Sequence, residues 1–228
     1  MNHLETIRSL EEQYNSNPLL KGLVQISSAF TFGITGGIEA AILTHCNNIT
    51  KKRLKIFFDE LEKGNIQLTQ ELIESEDFLH RYFATGKAAI NSRRAEKIQF
   101  FSRLFLTGTI QEEISDTDEY EELLRILDKL SYREIQILFI LDKYEIQYSQ
   151  KENENDLQRA NHFWSDFEED LQSSLQITKE EINGLLVRLL RTGCYEIFTG
   201  TYYGYTGGKG KLTSIYHRLK KCIWEKTK

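Results

Sequence analysis

The sequence predicts a mainly α-helical protein with one small β-hairpin near its C-terminus. Three observations carry that expectation. Pro18 is the only proline in 228 residues, so few segments are barred from helix by a missing N–H. Two helix starts are spelled out by the same device. Ser131 with Glu134, and Thr178 with Glu181, have capping-box spacing, and Leu130/Ile135 and Ile177/Ile182 have that of a hydrophobic staple. Finally, Cys194–Phe198 alternates like a strand and is followed by the reversal TGTYYGYTGGKGK, with Leu212 leading back toward a helix at Ser214–Ile223.

Composition bounds the class. A chain that is 40% apolar and 28% charged is ordinary for a folded soluble protein, and long enough for one large or two small cores. The net charge of −5 is uneven: residues 199–228 hold seven Lys/Arg against Glu225 alone, leaving 22 basic and 33 acidic residues in the first 198. Contact with nucleic acid or anionic lipid is therefore expected at the last thirty residues, if anywhere. Cys46, Cys194 and Cys222 lie far apart with no CxxC or Cys/His ligand spacing, which argues against a disulfide framework or zinc module and fits a reducing cytoplasm. MNHLETIRSLEEQY is acidic and amphipathic, so no secretory signal is expected.

Along the N-terminal region, expected to run to residue 128, Leu4, Ile7 and Leu10 mark a short helix that stops before Pro18. Residues 22–38 are free of charge and continue as EAAILTHC, giving an apolar segment over 22–44. It is short for a transmembrane helix, and Gln25, Ser27, Ser28, Thr31 and Thr35 dilute it. Gly33, Gly36 and Gly37 supply small residues for close helix approach, so this is the candidate oligomer contact or membrane contact, with a break near Gly36 and Gly37. A solvated amphipathic helix is expected from Thr50 to Glu62, a short one from Leu68 to Ile73, and a long one from Phe78 to Phe105, kinked near Gly86 or Ser92. Thr107–Asp118 reads as an acidic loop before a helix at Glu119–Lys129.

The second domain, 129–228, is expected to hold helices at Ser131–Tyr144 and Thr178–Thr192. Between them a third, marked by Leu157, Ala160, Phe163, Trp164, Phe167 and Leu171, follows the polar linker 149–156. In Thr178–Thr192, Ile182, Leu185, Leu186, Leu189 and Leu190 form one core-facing stripe, and Gly193 provides the C-cap. This order of helices, strand, Gly/Tyr-rich hairpin, strand and closing helix resembles the winged-helix variant of the helix-turn-helix.

The resemblance implies a binding module whose helix 178–192 enters a major groove while the hairpin tip follows the backbone. Lys209 and Lys211, with the backbone amides of Gly207, Gly208 and Gly210, suit phosphates, and Tyr202, Tyr203 and Tyr205 suit sugars or bases. Lys179 and Asn183 are the base-reading candidates. The full nucleic-acid-binding set is Lys179, Asn183, Tyr203, Tyr205, Lys209, Lys211 and Arg218. Against it, Glu180 and Glu181 open the same helix and repel phosphates, and Arg188 and Arg191 sit where they complement the helix dipole. A protein partner is the alternative, with the tyrosines packing across the hairpin.

No catalytic constellation stands out. GYTGGKGK departs from the phosphate-binding loop pattern because Gly210 stands in place of the Mg-binding Ser/Thr. His3, His45, His80, His162 and His217 are scattered. Arg159 and His162 share a helix face, similar to the Arg/His pairs of helical ribonucleases but too closely spaced for them. Arg93, Arg94 and Lys97 form a small basic patch. Neither metal nor cofactor is expected. Residues 57–105, after the Gly-rich apolar segment, also resemble a group of uncharacterised bacterial helical proteins, which implies a bacterial cytoplasmic protein of a mobile-element or phage-defence neighbourhood and no mechanism.

The leading expectation is a non-enzymatic binding protein whose N-terminal helices oligomerise or regulate. A membrane-acting effector using residues 22–44 is the rival, and an enzyme with an unrecognised site the third reading.

Overall fold

The computed structural model describes residues 37–63, 75–111, 113–199 and 208–224, and the side chains from residue 45 onward. The expected helix at 2–14, Gly33 and Gly36, the piece at 68–73 and the hairpin tip at 200–207 lie outside the described residues. The chain divides into two compact units, residues 1–110 and 111–228.

The first unit contains α1 (Gly37–Glu62), α2 (Glu76–Asn91) and α3 (Ala95–Phe105), which ends in a π-helical turn, Leu106–Ile110. α1 is longer than the sequence suggested, running unbroken through Asn47, Asn48, Ile49 and Thr50. Once a helix is nucleated, adding a residue costs little, and weak formers such as Asn and Thr cost only about 0.5 kcal/mol each. The expected long helix is interrupted at Ser92 rather than kinked. Ser92 and Arg94 are extended, and Gly86 stays buried inside α2. Ser75 caps α2, accepting the Phe78 N–H, and Glu76 and Asp77 complement its N-terminal dipole.

The three helices pack around Leu54, Phe57 and Leu61 of α1, Phe78 and Tyr82 of α2, and Ile98, Phe101, Leu104 and Phe105 of α3. Phe105 meets Phe78 and Tyr82 edge-on, with ring centres 5.5 and 5.8 Å apart. Ser102 donates to the Phe57 carbonyl at 2.9 Å, a hydrogen bond that registers α3 on α1. The expected loop from Thr107 begins instead as the π-helical turn, whose Gly108 carbonyl accepts from the buried Arg81 guanidinium at 3.1 Å. Among the described residues no helix is long and apolar enough to cross a membrane.

The second unit begins with α4 (Thr117–Lys129), capped by Asp116, and α5 (Tyr132–Gln147). The single helix expected around residues 157–171 is two, α6 (Asp156–Asn161) and α7 (Trp164–Leu175). The chain breaks where Phe163 turns its ring into the core against Tyr144 and Tyr148, at 5.7 and 5.5 Å. Then come α8 (Lys179–Leu190), the antiparallel strands β1 (Tyr195–Ile197) and β2 (Gly210–Leu212), and α9 (Ser214–Trp224). Both expected capping boxes form, at Ser131/Glu134 and Thr178/Glu181, and a third forms at Asn155/Gln158. Gly193, at φ +72°, adopts the left-handed conformation that stops α8 and feeds β1.

Glu60 of α1 is 7% exposed and bonded to both Arg103 of α3 and Lys63, each at 2.7 Å. Burial alone pushes its carboxyl up, but the hydrogen bonds and charges of Lys63 and Arg103 outweigh that and hold it below its ordinary value. Its contribution to stability is therefore present above the unfolded carboxylate pKa of about 4.3 and lost as pH falls through the folded value. Glu60→Gln should destabilise the protein by about 1.5–3 kcal/mol at pH 7. Thermal unfolding should show the gap from wild type closing below about pH 4.

Candidate binding surfaces of the C-terminal unit

The hairpin is short, and its stem is fastened to the helices beneath it. In register, Tyr195 faces Leu212, Glu196 faces Lys211 and Ile197 faces Gly210. The Tyr195 ring lies diagonally across Gly210, and its hydroxyl reaches the Gly208 carbonyl at 3.4 Å. A Cβ on Gly210 would stand 2.1 Å from the Glu196 carbonyl oxygen and 2.5 Å from the Tyr195 ring, so only glycine fits. Gly210 is buried, which corrects its expected role as an exposed phosphate-binding amide. Gly208 is exposed at φ +90°, and Gly207 lies outside the described residues.

The lysines expected to meet phosphates are engaged. Lys211 sits between Asp156 of α6 at 2.7 Å and Glu196 of β1 at 3.1 Å, and the Asp156 contact, with Glu196, holds its ammonium above the ordinary lysine range. Lys209 donates to Asn161 of α6 at 2.5 Å. The mostly buried Glu145 of α5 accepts the Leu212 N–H at 2.9 Å and faces Arg159 of α6 at 3.7 Å. Burial raises the Glu145 carboxyl, with the Leu212 N–H and Arg159 opposing it.

Two other predicted contacts are likewise paired. Arg218 pairs with Glu119 at 2.6 Å and Lys179 with Glu168 at 2.9 Å. Tyr202, Tyr203 and Tyr205 lie outside the described residues. Asn183 is exposed on α8, its side-chain oxygen 3.8 Å from where a Cβ on Gly208 would stand, so α8 and the hairpin stem are neighbours. The structure thus gathers Asn183, Lys209 and Lys211 at one edge, and ties Lys179 and Arg218 to acids of α7 and α4. Counted over residues 111–228, the sequence holds 22 acidic and 16 basic residues, so these pairs form within a unit of net charge −6.

α8 carries a second feature. Ile182, Leu185, Leu186 and Leu189 are buried as expected, but Leu190 is 37% exposed. At about 100° per residue it stands roughly 80° round the helix from Ile182, on the flank of the stripe. It joins Val187, 51% exposed, and the open Gly184, around which nothing approaches a would-be Cβ within 4 Å. Arg188, on the same helix, bonds Glu134 at 3.1 Å and fastens α8 to the cap of α5.

Asp156, Asn161 and Glu145, the partners that fasten the hairpin, carry no local sequence signal of that role. The Asn155/Gln158 spacing, itself a capping box, was the available signal that the polar stretch 149–156 ends in a helix start. No group of three His, Cys, Asp or Glu among the described residues is placed to hold a metal. The Cys194 and Cys222 thiols are buried and pushed up to about 11, which leaves them poor nucleophiles at neutral pH.

Two glycines should respond oppositely to the same change. Gly210→Ala should destabilise the C-terminal unit by about 1–3 kcal/mol or more, because strand backbone and a packed ring must both yield. Gly184→Ala should stabilise it by about 0.5–1 kcal/mol through helix propensity alone. Urea denaturation of both variants checks the pair. Comparison of the chain with protein-family models, with curated proteins and with solved structures finds no match.

Proposed function

We propose that the C-terminal unit is a winged-helix module that binds a protein partner through the outer face of α8, without catalysing a reaction. The observation that carries this is the character of that face: Gly184, Val187 and Leu190 offer an open apolar strip, and the neighbouring Arg188 is already spent on Glu134. Exposed apolar strips with polar rims are where protein partners dock, and a small residue within one admits close approach.

The charge distribution points the same way. A surface that binds nucleic acid gains affinity by replacing counterions with free cations. Here Lys179, Lys211 and Arg218 each face a carboxylate within the unit, and Lys209 is bonded to Asn161. Phosphates would have to displace acids already in place, within a unit of net charge −6.

Val187→Asp and Leu190→Asp leave the buried stripe of α8 intact and should each weaken partner binding by at least about 2 kcal/mol, roughly thirtyfold, if they sit at its centre. Quantitative crosslinking of the wild-type chain, followed by affinity measurement on the partner it identifies, reads that loss. Duplex DNA titrated at 50 and 200 mM salt supplies the opposing test. Tight binding that falls steeply with salt and collapses in Lys209→Ala/Lys211→Ala would establish the nucleic-acid reading instead.

A further inference from the structure

Beyond the α8 face, the turn between α5 and α6 borders an open cleft of about 300 Å³, lined by Gln147, Tyr148, Ser149, Lys151, Glu154, Arg159 and His162. Its walls are built. Asn153 is held in the left-handed conformation at φ +64°, and the Glu154 N–H bonds back to the Lys151 carbonyl at 3.1 Å. The Glu154 carboxylate is occupied on both oxygens, taking the Lys151 N–H at 3.1 Å and the His162 ring at 2.7 Å. The Lys151 N–H first, and His162 with it, keep that carboxyl below its ordinary range, so it remains the ionised anchor that orients His162. Tyr148, half-buried, packs against Phe163 at 5.5 Å.

Arg159 is the anomaly. Its side chain is only 16% exposed, yet its one ion-pair contact among the described residues is Glu145 at 3.7 Å, too long for a good hydrogen bond. A guanidinium has five N–H donors in a planar fork, and no Arg159 nitrogen is among the fully buried, unpartnered side-chain atoms of the described residues, so the donors that Glu145 leaves over stay open to solvent. The Leu212 N–H takes one Glu145 oxygen and Arg159 faces the other at 3.7 Å, a distance that leaves its charge only partly neutralised. Lys151 and the 53% exposed His162 bring two further donors to the same cleft.

We propose that this cleft binds a phosphate group, with the Arg159 fork taking two of its oxygens and Lys151 and His162 the remainder. Three donor groups lining one cleft suit a tetrahedral oxyanion, whose three terminal oxygens outnumber the two of a carboxylate. The volume lies at the lower end of ligand pockets and accommodates free phosphate or a mononucleotide phosphomonoester. The cleft shares no residue with α8.

Calorimetric titration of the full chain, in a buffer free of oxyanions, with inorganic phosphate, AMP and acetate tests it. Saturable binding of phosphate or AMP, with none of acetate, is expected; tighter AMP would identify a phosphomonoester, and equal affinities free phosphate. Arg159→Met should weaken binding at least tenfold. Because that change leaves Glu145 without its cation, Lys151→Met and His162→Asn, at exposed positions, serve as the second arm, each expected to weaken binding several-fold. No saturable binding to the wild-type chain, or binding untouched by all three substitutions, overturns the proposal.

Discussion

The C-terminal unit depends on a set of ionic and polar ties between its hairpin stem and the helices α5 and α6. Lys211 bridges Asp156 and Glu196, Lys209 reaches Asn161, and Glu145 takes the edge N–H of Leu212 while facing Arg159. A two-stranded hairpin with three-residue strands has too little surface to hold itself, so its position must come from what it is fastened to. Tyr195 lying over Gly210 closes the stem from within, and that contact excludes every side chain at position 210. These ties then determine what remains available outside: the lysines are committed inward, while the outer strip of α8 is left open.

The first unit solves a similar problem by burial. Its aromatic core is completed by one carboxylate, Glu60, whose desolvation is offset by Arg103 and Lys63. Both units therefore use a buried or half-buried acid to fix the register of elements that apolar packing alone would leave free to slide. In the second unit, Glu134 plays this part twice, capping α5 through the Ser131 N–H and holding Arg188 of α8. Such groups contribute geometry more than net stability, because their desolvation cancels much of their attraction.

Much of the helical layout was legible because capping chemistry and 3.6-residue periodicity are local. Ser131/Glu134, Thr178/Glu181 and the left-handed Gly193 all act within one turn of chain, and the structure has each where the sequence put it. The errors have tertiary causes. The break at Phe163 arises from the space its ring finds beside Tyr144 and Tyr148, and the half-exposure of Leu190 from which side of α8 meets the core. The candidate site was legible as a list of cations and illegible as a surface. Whether Lys211 points at solvent or at Asp156, 55 residues earlier in the chain, is decided by the fold. Arg159 and His162 read from the sequence as a pair on one helix face, but the cleft they line is made by a turn whose left-handed Asn153 no periodicity announces.

A double-mutant cycle on Lys211 and Asp156 measures directly whether the hairpin lysines are structural. Both side chains are about one-third exposed, so a coupling of about 0.5–1 kcal/mol is the result expected from urea denaturation of Lys211→Ala, Asp156→Ala and the double variant. A coupling indistinguishable from zero, with Lys211→Ala as stable as wild type, would mean that the lysine is not held by α6 and that the hairpin's positive charge is free to meet a ligand.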